Sequence, residues 1–230
     1  MPRVKETLFI LLAAAVLGYV TSFPMLFYST WLKFSAIALG ILLVNILAKK
    51  ALAYKLGCVL EIKPWTFERY GFGRAQYFGV PIPAWLLWPV LVVWASLGNV
   101  WWLVVSTFEV HATMRRVGRK FAEVTEWDIS LIAALGIIAN IIAAVIAYSL
   151  GYQQISFMSM WFVFFNMLPF PAYDGGRIFF GSRIFWVFMS SLSLAVLILL
   201  HIEASATITI ITAVVSAIIA AVIFYSVKER

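Results

Sequence analysis

Long apolar stretches alternate with short polar ones along the whole chain, and seven of the apolar stretches approach the ~20 residues a bilayer-spanning helix needs. They cover residues 7–29, 34–56, 84–107, 129–150, 155–170, 183–200 and 204–226. This pattern predicts an all-α polytopic membrane protein of about six to seven transmembrane helices. The fifth stretch is the shortest and runs into prolines and glycines, which predicts a broken helix. The last two are joined by a tight turn around His201 to Ala204. Residues 57–83 break the pattern with a partial alternation of apolar and polar positions, followed by Gly71, Gly73 and Gly79, and predict a short β hairpin after the second helix. From Glu109 to Asp128 acids balance Arg115, Arg116, Arg119 and Lys120, which reads as a solvated surface helix. Trp85 and Trp88 at one end of the third stretch, with Trp101 and Trp102 at the other, resemble the two aromatic belts of a bilayer.

Composition sharpens this picture. Of 230 residues, 64% are hydrophobic and 12% charged, about half the charge of a soluble domain. The net charge of +7 is spread over loops and ends with no dense basic run, so it suits contact with membrane lipid and gives no sign of a nucleic-acid partner. The single cysteine, Cys58, excludes an internal disulfide and reads as a small core residue. The apolar run after Arg3 and Lys5 is long enough to span, so the first helix is expected to be retained, a signal peptide being the alternative. With seven spans the basic residues divide eight against nine between the two faces, which leaves orientation open. No linker or repeat divides the chain, so residues 1–230 are expected to form a single multi-pass domain in the cell membrane.

The most informative stretch is Phe165 to Gly176, FNMLPFPAYDGG, which sets a carboxylate among apolar residues. An acid in hydrocarbon costs at least a few kcal/mol, so Asp174 is expected at an internal site with a partner. Pro169 and Pro171 lack backbone donors, and Gly175 with Gly176 permits unusual backbone angles, so the helix must unwind here. Such backbone survives at membrane depth only when buried in protein or lining a wet cavity.

Asn166, Pro169, Pro171, Asp174 and Gly175 have the N-x-x-P-x-P-x-x-D-G pattern, and in it the chain resembles the site-2 proteases, intramembrane zinc metalloproteases. The resemblance implies that Asp174 stands where a third zinc ligand would, and that Asn166, Pro169, Pro171 and Asn140 line a substrate groove. It also implies an H-E-x-x-H motif on an earlier helix, where two His at i and i+4 share the metal and the Glu acts as general base. That motif is absent. The two histidines, His111 and His201, begin nothing similar. The family pattern falls instead on Asn45 to Cys58, NILAKKALAYKLGC, with Asn45 and Lys49 in the His positions and Ile46 in place of the Glu. A further family feature, G-P-x-x-N, is echoed by Gly136 and Asn140 with Ile137 replacing the proline.

A carboxylate, an amide and an ammonium do not make a three-ligand catalytic zinc site, and Ile46 accepts no proton. The expectation is therefore a catalytically inactive homologue that binds no cofactor and holds or regulates a transmembrane client or a sibling protease. Two alternatives stand beside it: an active intramembrane metalloprotease with unorthodox ligands, and an ion or proton transporter using Asp174 and Lys49. Each residue also has a structural reading. Lys49 can snorkel to headgroups, while Asn45, Asn140 and Asn166 can serve as interhelical hydrogen-bond glue. If the family arrangement holds, however, Lys49 and Asp174 point at one another, and a buried salt bridge with Asn45 as helper is predicted in place of the metal.

Overall fold

The computed structural model describes residues 3–24, 27–69, 77–112 and 124–228. The elements run α1 (Arg3–Ser22), α2 (Tyr28–Lys55), β1 (Cys58–Pro64), β2 (Phe67–Arg69), β3 (Tyr77–Ile82), α3 (Ala84–Ala95) and β4 (Ser106–Ala112). They continue with α4 (Glu126–Ser149), α5 (Gln153–Asn166), α6 (Asp174–Gly181), α7 (Arg183–His201) and α8 (Ala206–Lys228). Five of the helices, α1, α2, α4, α7 and α8, are long and apolar enough to cross a membrane. Of the six to seven expected, five are found as single helices of that length among the described residues, and the two shortfalls have different causes. α5, at 14 residues, measures only ~21 Å at 1.5 Å per residue, short of a ~30 Å hydrocarbon layer. The third predicted span is not a single helix at all.

Contacts group the chain into two compact units, one holding residues 1–42 and 61–109, the other 43–60 and 110–230. In the first, α3 ends after 12 residues at Ala95, and the chain reverses through Leu97 and Gly98, whose φ angles of 52° and 88° are left-handed. Glycine takes that conformation freely, and leucine does so at a cost. The chain then returns through Leu103, Val104 and Val105, all essentially inaccessible. The reversal brings the two expected tryptophan belts together. Trp88 packs edge-on against Trp102 with ring centroids 6.1 Å apart, and Trp102 stacks on Trp65 at 6.5 Å. Residues 84–105 thus form a hairpin of a helix and an irregular returning segment.

The hairpin expected after α2 is present as β2 paired antiparallel with β3, Phe67 opposite Ile82 and Arg69 opposite Tyr77, with an irregularity between. β1 pairs with β4, a strand that the sequence reading had assigned in part to a surface helix. Glu109 lies in this strand and accepts a hydrogen bond from Lys63. Residues 113–123 of the expected surface helix, and the glycines at 71 and 73, lie outside the described residues.

The second unit is built around α4, whose Ile132, Ala133, Ile137, Asn140 and Ala144 are fully buried. Thr125 starts this helix with a capping box, its hydroxyl accepting from the Asp128 amide while the Asp128 carboxylate accepts from the Thr125 amide. At the other end Gly151, with φ of 83°, closes the turn into α5, and the Tyr152 amide donates back to Ala147 O at 2.8 Å. α5 then packs antiparallel along α4, Ser159 Oγ donating to Asn140 O at 3.1 Å. α6 continues toward the start of α4, where Ser130 Oγ lies 2.8 Å from both Glu126 O and Arg177 O and donates to one of them. α7 runs back until His201 meets Phe157 edge-on at 5.7 Å, and α8 pairs with α7.

Candidate functional site

The predicted break occurs where Pro169 and Pro171 placed it. α5 stops at Asn166 and helix resumes at Asp174, so the first residue of α6 is the acid. A carboxylate in the first turn of a helix is favoured by the unpaired amides there. The intervening loop is held by its own backbone, Phe170 N donating to Leu168 O at 2.8 Å and Tyr173 N to Phe170 O at 2.9 Å, and by Trp186 Nε1 donating to Met167 O at 3.0 Å.

The two glycines after Asp174 are required by close approach. A Cβ on Gly175 would stand 2.1 Å from Met167 O, and one on Gly176 2.0 Å from Phe170 O. Both neighbours are backbone atoms that cannot swing aside, so the motif folds its loop over the start of α6 only with glycine at these positions.

Asp174, 4% exposed, meets Lys49, 5% exposed. Lys49 Nζ donates to Asp174 Oδ1 at 2.8 Å and to Oδ2 at 2.7 Å, a bidentate charge-assisted pair between residues 125 apart in sequence. Lys49 therefore does not snorkel, although it lies six residues from the end of α2, within ~9 Å along the helix axis. α4 makes room for it at Gly136, where a Cβ would lie 2.5 Å from Lys49 Cε, 2.9 Å from its Cγ and 2.9 Å from Asn45 Nδ2.

The other expected site residues fall around this pair in different ways. Asn45 lies one turn before Lys49 and is buried, but its Nδ2 finds no partner among the described residues, so the helper role expected of it is not seen. Ile46 is buried and apolar. Asn140, on the same face of α4 as Gly136, is fully buried, and neither end of its amide is bonded among the described residues. Asn166 is turned back on its own helix, Nδ2 donating to Phe162 O at 2.8 Å. Pro169 and Pro171 are exposed, and Pro171 borders an open cleft of about 530 Å³ with Glu126, Ile129, Arg177 and Phe180. The cleft and the role of Gly136 were not foreseen; the glycine, one turn before Asn140, was noted only as an echo of a motif.

These residues do not fit a catalytic zinc. Both oxygens of the Asp174 carboxylate accept from an ammonium, a protonated Lys donates and cannot ligate, and the other two positions that the pattern aligns hold an amide and an isoleucine. What the arrangement can do is hold two helices and a broken third at fixed spacing through a buried ion pair. No protein-family model, curated protein or solved structure matches the chain.

Proposed function

We propose that this chain is a non-proteolytic relative of the site-2 intramembrane proteases, an integral protein of the cell membrane that holds or regulates a transmembrane client or a sibling protease. One observation carries the reading: the Lys49 ammonium lies across both oxygens of Asp174, at the two positions where the resemblance puts metal ligands. An ammonium supplies the positive charge a zinc would, without the Lewis acidity. With Ile46 in the place of the general base, a contribution typically worth 10²- to 10⁴-fold in rate is also missing. The broken helix and its exposed prolines are kept, and with them the cleft beside Pro171, lined by the apolar Ile129 and Phe180 together with the charged Glu126 and Arg177.

The test is made on the purified full chain in detergent, incubated with zinc and then exchanged into zinc-free buffer. Elemental analysis is expected to find far less than one zinc per chain, and a transmembrane reporter is expected to stay intact. One zinc per chain, lost in Asp174→Ala and accompanied by cleavage of the reporter, would reject the proposal. Client binding is tested separately with a photo-crosslinking amino acid in place of the exposed Phe170. A discrete protein adduct in membranes supports a held client, and adducts with lipid alone count against one.

A further inference from the structure

Several buried polar side chains of the second unit are paired within the protein, among them Asp174 with Lys49, Asn166 with Phe162 O and Ser193 with Met189 O. Asn45, Asn140 and Ser156 differ. Asn45 is 4% exposed and the other two are fully buried. Yet Asn45 Nδ2, both ends of the Asn140 amide and Ser156 Oγ meet no partner among the described residues. A side-chain amide carries two donor hydrogens and an acceptor oxygen. Burying one unpaired is costly, and buried polar groups are almost always bonded to protein or to ordered water.

These residues lie in line. A Cβ on Gly136 would stand 2.9 Å from Asn45 Nδ2, so the Asn45 amide rests against α4 at that level. Asn140 is one turn further along the same face, ~6 Å at 1.5 Å per residue. Ser159 Oγ donates to Asn140 O at 3.1 Å and brings α5 to the same height. Ser156 is one turn earlier on α5, and its amide donates to the carbonyl of Tyr152, which is 60% exposed at the start of that helix. A polar seam therefore runs from the exposed start of α5 through Ser156, Ser159 and Asn140 to Asn45, and ends one turn on at Lys49. All of it belongs to the second unit. A step of ~6 Å is too long for a direct hydrogen bond of ~2.9 Å, and it matches one water that bonds on both sides.

We propose that this seam is a binding site for internal water, in which water joins Asn45 to Asn140 and Ser156 extends the chain of hydrogen bonds toward the surface. Water is the ligand that fits the chemistry. The groups are uncharged and mixed in sense: Asn140 offers donors and an acceptor, Asn45 a donor, and Ser156 both, which meets the two to four partners a buried water needs. The nearest charges, Lys49 and Asp174, neutralise one another, so the seam has no net charge to hold an ion. Its role is to link α2, α4 and α5 through hydrogen bonds that their side chains do not make directly, and to give a buried ion pair contact with solvent. The site depends on neither a client nor a metal.

The chain has four asparagines, Asn45, Asn99, Asn140 and Asn166, and they supply their own controls. Asn99 is exposed, and Asn166 is buried with its amide bonded to Phe162 O. The full chain, labelled with ¹⁵N-asparagine and reconstituted in lipid bilayers, is measured by solid-state NMR with magnetisation transferred from water to the side-chain amides. Transfer is expected at Asn99, Asn45 and Asn140 and is expected to be near zero at Asn166. Transfer at Asn99 with none at Asn45 and Asn140 would show a dry seam and overturn the proposal; this measurement needs no variant. The joining of the two sites is tested in Asn140→Leu, with unchanged Asn99 and Asn166 signals as the check on folding, and reciprocally in Asn45→Leu read at Asn140. Loss of at least half the transfer at the remaining amide is the expected result. Undiminished transfer at the remaining amide in either variant would mean two separate waters, and would overturn a shared site.

Discussion

Gly136 lies against the side chain of Lys49 so closely that a single added methyl would stand 2.5 Å from Lys49 Cε. A lysine stem is ordinarily free to move away from such a clash. Here its head is tied to Asp174 by two hydrogen bonds and its Cγ is also within 2.9 Å of the added atom, so relief on one side costs the ion pair on the other. Gly136→Ala is expected to lower stability in detergent by about 1–3 kcal/mol, the usual range for overpacking a filled site. Gly136→Val should cost more. Thermal unfolding followed by fluorescence checks this, and an unchanged midpoint in Gly136→Val would show that α2 and α4 are not in this contact.

The glycines after Asp174 are under a different constraint, since a Cβ at either would strike backbone carbonyl oxygens. Gly175→Ala and Gly176→Ala should therefore each destabilise by more than ~3 kcal/mol, in the exceptional tail of single substitutions. Gly79, whose added Cβ would meet nothing within 4 Å, is the control; Gly79→Ala is expected to leave the midpoint nearly unchanged. Equal effects at all three positions would mean that the loop does not fold over α6 as described.

Much of this was legible in the sequence, and the exceptions have physical reasons. The break between Asn166 and Asp174 follows from local chemistry, because two prolines and two glycines disrupt a helix wherever they occur. The partnership of Lys49 with Asp174 was readable through motif spacing together with the high cost of an unpaired charge in hydrocarbon. The hairpin at 84–105 was missed because hydropathy counts apolar residues without registering direction. A helix that crosses and one that turns at Leu97 and Gly98 have the same composition. The signal was Ser96-Leu97-Gly98-Asn99, a turn-forming cluster inside an apolar run. β4 was missed for a related reason: Ser106–Ala112 carries alternating Thr, Phe, Glu and Val, but the balanced charges after it favoured a surface helix. The contact of Gly136 with Lys49 was out of reach, since it joins two helices more than 80 residues apart and glycine carries no side chain to announce it.

The ion pair of Lys63 with Glu109 offers a contrast with the buried one, because its side chains are 38% and 44% exposed. Exposed pairs in high dielectric contribute about 0–1 kcal/mol. Lys63→Met, Glu109→Gln and the double variant are all expected to unfold within ~1 kcal/mol of the parent. A loss several times larger would mean that this pair, bridging β1 and β4, is shielded from solvent in the membrane-bound protein.

Lys49 and Asp174 form one buried unit, and a double-mutant cycle in thermal unfolding tests this most directly. Removing one partner of such a pair strands the other charge and costs about 3–5 kcal/mol, whereas replacing both with apolar residues of similar size can be nearly neutral. Lys49→Met and Asp174→Leu are each expected to fall in that range, and the double variant to recover most of the loss. Additive losses in the double variant would mean that the two charges do not interact, and would contradict the account.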